Sequence, residues 1–374
     1  MPRLPPSLFW RARKDISPFA PVLLPVCRDL TSTANELRWI REHVRDTPSP
    51  VPDQLRVWDL VEKRGKGVPL QYVLGNQPFG DLDIRCRPGV LIPRPETESY
   101  TLQLASLLAR DRPPPSSLSI LDLCTGTGCI PLLLLHALLR TLPRPVPITV
   151  RGVDICPHAV QLARENLRRA RARLSSTAGD LEGACSVAFL QHDIFDPSLL
   201  RLLANPEEAI TTTTTTAAAA ATLPQPLNPG LDLLTINPPY ISPRAFARST
   251  ARAVRNHEPR LALVPEPLAA AAAESSDSTL EPHDVFYARA LAIADALRPK
   301  RMLMEVGGLD QALRVVRFFL RRRRRRPAEG LFKTVEVWRD EPAAGDRGER
   351  MAVEGTEVTV RGEGLGRAVY FSVF

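Results

Sequence analysis

The sequence predicts an α/β fold, a doubly wound parallel sheet, with a small helical domain in front of it. Short apolar runs that end in an acid or another polar residue alternate with segments of helical periodicity between residues 119 and 240. A glycine-rich stretch at residues 124–128 follows the first apolar run and opens a helix. Buried strands that alternate with helices form a parallel sheet whose polar strand ends share one edge. Ligands bind at that edge in such folds, so we look for a site there.

Length and composition are those of a soluble globular protein. The 374 residues, 44% apolar and 24% charged, suffice for one large domain and a smaller one. No run approaches the roughly 18 apolar residues that cross a bilayer, so we expect no membrane span. The six cysteines lack the short paired spacings of a zinc site or a disulfide framework, which favours a reducing compartment and no metal.

The net charge of +8 favours an acidic partner such as nucleic acid or a ribonucleoprotein, but part of this charge has a local source. Residues 321–326 are six consecutive arginines. A run of this kind is more often a solvated loop than a binding site, so we predict a loop insert at residues 321–327.

Residues 1–28 have the composition of an organelle transit peptide. They carry five basic residues against a single acid, Asp15, and they lack the continuous apolar centre of a secretory signal. The alternative is a disordered leader without an address. The basic residues are Arg3, Arg11, Arg13, Lys14 and Arg28.

Two short units are expected before the large domain. Residues 29–76 have apolar residues at three- and four-residue steps and predict a helical bundle. Residues 77–98 predict a β-hairpin linker, with alternating apolar residues around Pro88 and Gly89. A helix from residue 100 to 110 should follow, capped by Thr97 or the acid before it.

The large domain is expected to span residues 99–374, with low-complexity inserts near 171–183, 205–230 and 269–282 besides the arginine run. The last two apolar segments are expected to form a terminal antiparallel pair. In chain order, the predicted strands are residues 119–123, 148–153, 187–192, 231–236, 301–307, 333–338 and 368–373.

The glycine turn, by which we mean residues 124–128, differs from a dinucleotide-binding fingerprint. Its third glycine position is occupied by Pro131, which weakens a dehydrogenase interpretation. Asp122 leads into the turn, an arrangement typical of S-adenosylmethionine sites. Asp122 could orient the ammonium group of that ligand through ordered groups, or it could be a structural acid that caps the turn. The turn consists of Cys124, Thr125, Gly126, Thr127 and Gly128.

The fourth strand leads into Asn237, Pro238, Pro239 and Tyr240, which we call the amide loop. Two successive prolines fix both φ angles and push the residue before them out of the helical region. A stiff loop of this kind would hold the Asn237 amide in a fixed direction beside the Tyr240 ring. It suits a flat amide-like or amine-like group, although Asn-Pro also begins ordinary turns.

Several segments together resemble the HemK/PrmC family of protein-(glutamine-N5) methyltransferases. The most specific is Leu-Ile-Pro-Arg-Pro-Glu-Thr-Glu at residues 91–98, paired with the amide loop and flanking residues 122–128. Residues 258–263 and residues 305–307 with Gln311 also match. The resemblance covers about residue 30 to the C-terminus, apart from the inserts. It implies a Rossmann-like class I methyltransferase that methylates the glutamine of the Gly-Gly-Gln motif in a class I peptide-chain release factor.

The resemblance also implies roles for residues of this chain. The glycine turn would hold the methionine end of S-adenosylmethionine, Asp154 the ribose, and Asp193 with Ile194 the adenine. The amide loop would grip the substrate amide. Two departures stand out, since the family usually has a glycine at Cys124 and some members have an aromatic at Ile194.

The chemistry of an amide gives the amide loop its expected function. An amide nitrogen is a poor nucleophile because its lone pair is delocalised into the carbonyl. If the Asn237 side-chain oxygen and the Pro238 carbonyl accept its two N–H bonds, they localise electron density on the nitrogen and aim it at the methyl. Asn237, Pro238 and Tyr240 are therefore the candidate catalytic residues, without a metal. His257 and Glu258 are expected to be structural.

Two other functions stay open at this point. The amide loop would also suit an exocyclic amine on an RNA or DNA base, because that group has a similar shape. A methyltransferase fold could also serve as a non-catalytic scaffold. We expect a monomer that acts on a release factor in the mitochondrial matrix and requires no nucleic acid.

Overall fold

The computed structural model describes residues 3–111, 115–142, 146–174, 185–204, 230–265, 280–325, 331–345 and 348–374. The insert segments at 175–183, 205–229 and 269–279 and residues 326–327 lie outside the described residues. Within the described ranges, no helix is long and apolar enough to cross a membrane.

The first helices pack together around their own core. They are α1 (Pro6–Arg11), α2 (Ala20–Cys27), α3 (Leu30–Asp46), α4 (Asp53–Gly65) and α5 (Leu70–Leu74), with a π-helical turn at Ala12–Ile16. Leu24 of α2, Ile40 of α3 and Val61 of α4 are fully buried in this core. Asp29 caps α3 by accepting a hydrogen bond from the Ser32 N–H over 2.7 Å.

The expectation of disorder in residues 1–28 is wrong for residues 6–27. This segment is helical, and Leu23 and Leu24 are fully buried against α3 and α4. The basic composition masked an apolar stripe on α2, which gains stability by burial against the bundle.

A hairpin links the bundle to the large domain, but its turn lies elsewhere than the sequence indicated. Strands β1 (Asn76–Phe79) and β2 (Leu82–Arg85) pair antiparallel, with the turn at Gly80 and not at Pro88 and Gly89. Gly80 has φ +56°, a conformation that glycine adopts readily. Helix α6 (Pro95–Ala109) begins five residues before residue 100, because Pro95 occupies its first position.

The large domain is built on a nine-stranded sheet in the order β5-β4-β3-β6-β7-β11-β8-β10-β9. Its first five strands are parallel, and β11 pairs antiparallel with both β7 and β8. The terminal antiparallel pair is thus confirmed, whereas β9 and β10 were not foreseen. The strands are β3 (Leu118–Leu123), β4 (Ile148–Asp154), β5 (Cys185–Gln191), β6 (Leu233–Ile236), β7 (Arg301–Glu305), β8 (Thr334–Glu341), β9 (Glu349–Val353), β10 (Thr356–Arg361) and β11 (Glu363–Ser372).

Helices cover both faces of this sheet, which confirms the doubly wound fold. On one face α6, α7 (Cys129–Thr141) and α8 (Pro157–Leu174) pack on the strands. On the other face lie α9 (Leu199–Ala204), α12 (Val285–Leu297) and α13 (Leu309–Arg325). Two short helices, α10 (Pro243–Arg248) and α11 (Arg252–His257), follow β6. Every residue of β3 is buried, as expected of a central parallel strand.

The arginine run is not a loop over residues 321–325, because these residues form the last turns of α13. Arginine is a good helix former, and acids on neighbouring elements receive these side chains. Arg321 donates two hydrogen bonds to Glu354 Oε1, over 3.1 and 2.9 Å, and Arg322 is paired with Asp295. Much of the local charge is therefore balanced within the fold.

Candidate active site

The polar strand ends lie side by side at the carboxyl edge of the sheet. Leu123 of β3 is in register with Ile236 of β6 on one side and Val153 of β4 on the other. Ile236 is in turn in register with Met304 of β7. The glycine turn, Asp154, the amide loop and Glu305 therefore follow adjacent strands and share one edge.

Backbone hydrogen bonds fold the glycine turn tightly over β4. The Thr125 N–H donates to the Val153 carbonyl over 3.0 Å, and the Gly128 N–H donates to the Thr125 carbonyl over 2.8 Å. Asp154 holds the middle of the turn, since its Oδ2 accepts a hydrogen bond from the Gly126 N–H over 2.8 Å. The turn is thus fixed in shape before any ligand arrives.

The two glycines of the turn are needed for different reasons. A Cβ atom on Gly128 would lie 2.9 Å from Phe189 Cζ and 3.1 Å from Ala163 Cβ, so close packing requires glycine there. A Cβ on Gly126 would meet no atom within 4 Å, so this residue borders open space. Gly126 has φ +55°, and the peptide backbone is exposed to that space.

Cys124 occupies a backbone conformation that favours glycine, with φ +57°. Its side chain packs against the hydrophobic core below the sheet edge. Burial raises the pKa of the Cys124 thiol, and the Asp154 and Asp122 carboxylates raise it further, so the side chain is a neutral thiol near pH 7. A glycine-like backbone with a thiol attached is consistent with the crowded turn expected from the sequence.

Asp122 is fully buried, and its carboxylate is only half satisfied. Its Oδ1 accepts a hydrogen bond from the Thr235 hydroxyl of β6 over 2.6 Å. Its Oδ2 has no partner among the described residues. Burial raises the pKa of the carboxyl to about 7, although the Thr235 hydroxyl lowers it. A buried carboxylate oxygen without a donor, next to open space at Gly126, fits a ligand that brings a positive charge to the turn.

Asp154 contributes to the site in two ways. Its Oδ1 accepts a hydrogen bond from the Cys156 N–H over 2.9 Å, while its Oδ2 holds Gly126 as described. Burial raises the pKa of this carboxyl, and the two backbone hydrogen bonds oppose the rise. Each oxygen keeps a further lone pair for a ligand hydroxyl.

The next strand end differs in detail from the expectation for adenine. Asp193 Oδ1 accepts a hydrogen bond from the Phe195 N–H over 2.9 Å, so Asp193 shapes its own loop. The Ile194 side chain is only 4% exposed and belongs to the core. Ile155, which sequence reasoning missed, is 49% exposed directly after Asp154 and offers a free apolar surface. Its position next to an acid at a strand end is the signal that could have identified it.

The amide loop is held from three sides. The Tyr240 hydroxyl donates to Glu305 Oε1 over 3.1 Å, and the Tyr240 carbonyl accepts from Gln311 Nε2 over 3.2 Å. The next residue, Ile241, donates its N–H to the Leu263 carbonyl over 2.8 Å. Asn237 stays partly exposed while Pro238 and Pro239 are buried. The asparagine amide is therefore the polar group that the loop presents.

Glu305 is the buried centre of this arrangement, and the sequence showed only that it matches a family motif. Its Oε2 accepts hydrogen bonds from the Thr97 hydroxyl over 2.8 Å and from the Tyr100 hydroxyl. Burial raises the pKa of the carboxyl, and the hydroxyl groups of Tyr100 and Thr97 oppose the rise. One carboxylate thus joins the start of α6, the end of β7 and the amide loop.

Glu258 has a structural contact, in agreement with the expectation for this residue. Its carboxylate accepts hydrogen bonds from Arg94 over 2.8 and 2.9 Å and from the Ile92 N–H over 3.2 Å. This contact fixes residues 91–94 against the segment that follows α11. Both segments border the cavity beside the amide loop.

A cavity of about 380 Å³ opens beside the amide loop. Asn237 and Tyr240 form part of its wall, Glu305 lies in the wall behind Tyr240, and charged side chains from α6 and β11 complete it. The remaining lining residues are Leu91, Arg94, Glu96, Ile241, Thr250, Val254, Ala262, Leu263 and Arg367.

Comparisons with known proteins give sequence relatives with one kind of name, and no protein-family model matches the chain. The mitochondrial MRF1 N(5)-glutamine methyltransferase MTQ1 of Saccharomyces cerevisiae is 35% identical over 71% of this chain and 69% of its own length. The probable mitochondrial mtq1 enzyme of Schizosaccharomyces pombe is 34% identical over 65% and 69%. The release factor glutamine methyltransferase of Moorella thermoacetica is 35% identical over 56% and 55%. Among solved structures, the hMettl16 catalytic domain aligns with a TM-score of 0.41 at 13% identity, over 84% of this chain and 81% of that one.

Proposed function

The chain belongs to the HemK/PrmC family of release factor glutamine methyltransferases, and from this we propose how its residues carry out the reaction. The protein is an S-adenosylmethionine-dependent N(5)-glutamine methyltransferase whose substrate is a release factor. The observation that carries the proposal is the placement of the amide loop on β6, directly beside the strand that bears Asp122 and the glycine turn.

The glycine turn, Asp122 and Asp154 hold the cofactor. S-adenosylmethionine bound there supplies a methyl group on a sulfonium, which is electrophilic enough for a neutral nucleophile. The unpaired Asp122 Oδ2 attracts the ammonium of the methionine end through ordered groups. Asp154 accepts from the ribose hydroxyls, and Thr125 and Thr127 contribute to the wall of the turn. Asp193 lies where the adenine is expected, with Ile155 as the exposed apolar surface beside it.

The amide loop orients the substrate glutamine. The Asn237 side-chain oxygen and the Pro238 carbonyl accept the two N–H bonds of the glutamine amide, which turns the nitrogen lone pair towards the methyl group. The nitrogen forms a bond to the methyl carbon as the carbon–sulfur bond breaks, and the alkylated nitrogen then loses a proton to solvent. Orientation supplies most of the catalysis, because the reaction forms no covalent intermediate with the protein.

Tyr240 is the wall that keeps the amide in place. Its ring packs on Gly307, where an added Cβ would lie 3.1 Å from Tyr240 Cδ2. Its hydroxyl is bonded to Glu305, so the ring cannot turn without breaking a buried hydrogen bond. Pro239, buried behind Asn237, keeps the loop from relaxing.

The protein is mitochondrial, as the names of its yeast relatives indicate, and its proposed compartment is the matrix. The proposed substrate is a mitochondrial class I release factor, modified by a monomeric enzyme without the help of nucleic acid. Imaging of the full chain with a C-terminal fluorescent tag tests the location. A diffuse cytosolic signal would speak against it.

Incubation of the purified protein with labelled cofactor and either a release factor or RNA tests the substrate class. We expect label in the release factor, in the absence of RNA, and at the elution volume of a monomeric enzyme. Label only in RNA would favour methylation of an exocyclic base amine instead.

A further inference from the structure

Two side chains of opposite charge, Glu96 and Arg367, face the cavity beside the amide loop without being paired to each other. Glu96 is the second residue of α6, and Arg367 lies on β11. Within the part of the chain that the structure describes, no hydrogen bond or ion pair holds the Glu96 carboxylate. A partly buried carboxylate without a partner is uncommon unless it has a use.

Arg367 is fixed by its neighbours, in contrast to Glu96. Its Nε donates to Asp340 Oδ1 over 2.8 Å, and one terminal nitrogen donates to the Gly307 carbonyl over 3.4 Å. A guanidinium has five N–H donors in a rigid plane, so donors remain for a group in the cavity. The fixed orientation means that these donors point in a defined direction.

Both charges lie close to the reacting end of the cavity. The Glu96 carboxylate interacts through its charge with Arg367, Tyr240 and Glu305. Arg367 also donates to Gly307, on which the Tyr240 ring packs. An acceptor and a donor therefore stand near the amide loop, at opposite sides of one opening.

We propose that Glu96 and Arg367 bind the main chain of the substrate next to its glutamine. A peptide backbone carries one N–H donor and one carbonyl acceptor per residue, and a pair of this kind satisfies both. Glu96 accepts the N–H of a residue before the glutamine, and Arg367 donates to a nearby carbonyl. This assignment rests on the proposed function, because it takes the glutamine to be held by Asn237.

The same geometry accounts for the selection of glycine before the glutamine. The Glu96 carboxylate is recessed in the cavity wall, so a backbone N–H reaches it only if no side chain stands in the way. Glycine has no Cβ and permits this close approach. Glu96 and Arg367 are thus specificity-determining residues for a Gly-Gly-Gln segment.

A structural role for Glu96 makes a different prediction, and the chain offers a matched control. An acid in the first turn of a helix interacts favourably with the helix dipole, and Glu98 occupies the same turn of α6 without lining the cavity. If Glu96 serves only the helix, Glu96→Gln and Glu98→Gln should behave alike in thermal unfolding and in kinetics.

The test uses steady-state kinetics with an intact release factor as substrate. Loss of a charge-assisted hydrogen bond to the bound substrate should raise KM about 10-fold in Glu96→Gln and leave kcat within about 2-fold. Glu98→Gln should keep the wild-type KM. Equal KM values for the two variants, or a fall in kcat alone, would overturn the inference.

A release factor with alanine in place of the glycine before the glutamine completes the test. The wild-type enzyme should modify it about 10-fold or more slowly, and the Glu96→Ala enzyme should discriminate less between the two substrates, because the recess is wider. Undiminished discrimination by Glu96→Ala would overturn the reading of glycine. Failure of the wild-type enzyme to methylate the unmodified release factor would instead reject the proposed function.

Discussion

The Tyr240 hydroxyl donates a hydrogen bond to Glu305 Oε1 over 3.1 Å, which ties the loop after β6 to the end of the neighbouring strand β7. The same carboxylate accepts from Thr97 and Tyr100 at the start of α6. The part of the chain that contacts the substrate amide is thereby joined to the part that lines the cavity. A change in this carboxylate should be felt both in stability and in the orientation of the amide.

Replacement of this carboxylate tests its role as a positioning group. Glu305→Gln places an NH₂ group among hydroxyl donors, so we expect the free energy of unfolding to fall by about 1–3 kcal/mol. We also expect kcat to fall more than KM rises, since the orientation of the amide is lost. Tyr240→Phe is the matched control, because it removes one of the three hydrogen bonds and leaves the charge. Equal kcat in wild type and Glu305→Gln would show that the contact is structural only.

Asp122 should make stability depend on pH. Burial raises its pKa from 3.8 to about 7, so between these values the folded state binds more protons than the unfolded state. The contribution of Asp122 to stability therefore falls as pH rises through this window and is constant above it. Urea unfolding of wild type and Asp122→Asn at pH 5 and pH 8 measures the effect. The variant should gain stability relative to wild type at pH 8 but not at pH 5.

The same carboxylate should make cofactor binding stronger at higher pH. The ionised form attracts the cofactor ammonium, whereas the protonated form does not. Calorimetry with the demethylated cofactor should show tighter binding at pH 8 than at pH 6 in wild type and no such dependence in Asp122→Asn. A complete absence of heat in the wild-type protein would support a non-catalytic scaffold.

Cys124 should tolerate only residues that accept a left-handed backbone. Cys124→Val places a β-branched residue at φ +57° and should lower the free energy of unfolding by about 2 kcal/mol. Cys124→Gly relieves the backbone but loses a packed side chain and gains freedom in the unfolded chain, so it should stay within about 1 kcal/mol of wild type. Similar losses in both variants would mean that side-chain packing, and not the backbone, decides at this position.

The sequence was sufficient for the fold and for which polar residues share one edge, because strand periodicity and a glycine turn are local patterns. It was insufficient for contacts between distant segments. The partners Tyr100 and Glu305 are 205 residues apart, and Arg94 and Glu258 are 164 residues apart.

Local patterns also failed where packing overrides them. Residues 6–27 join the helical bundle because α2 has an apolar stripe, and residues 321–325 extend α13 because Asp295 and Glu354 lie opposite them. Ile194 is drawn into the core, which leaves Ile155 as the exposed apolar side chain. None of these outcomes follows from composition, since each depends on a neighbour from another part of the chain.

The most direct test of the account is mass spectrometry of the Gly-Gly-Gln peptide from a release factor incubated with cofactor and either wild-type enzyme or Asn237→Ala. We expect the glutamine to gain one methyl group with wild type and the rate to fall about 10²- to 10³-fold in the variant, because one of two acceptors for the amide N–H bonds is lost. An unchanged rate with Asn237→Ala, or a methyl group on another residue, would contradict the assignment of the amide loop.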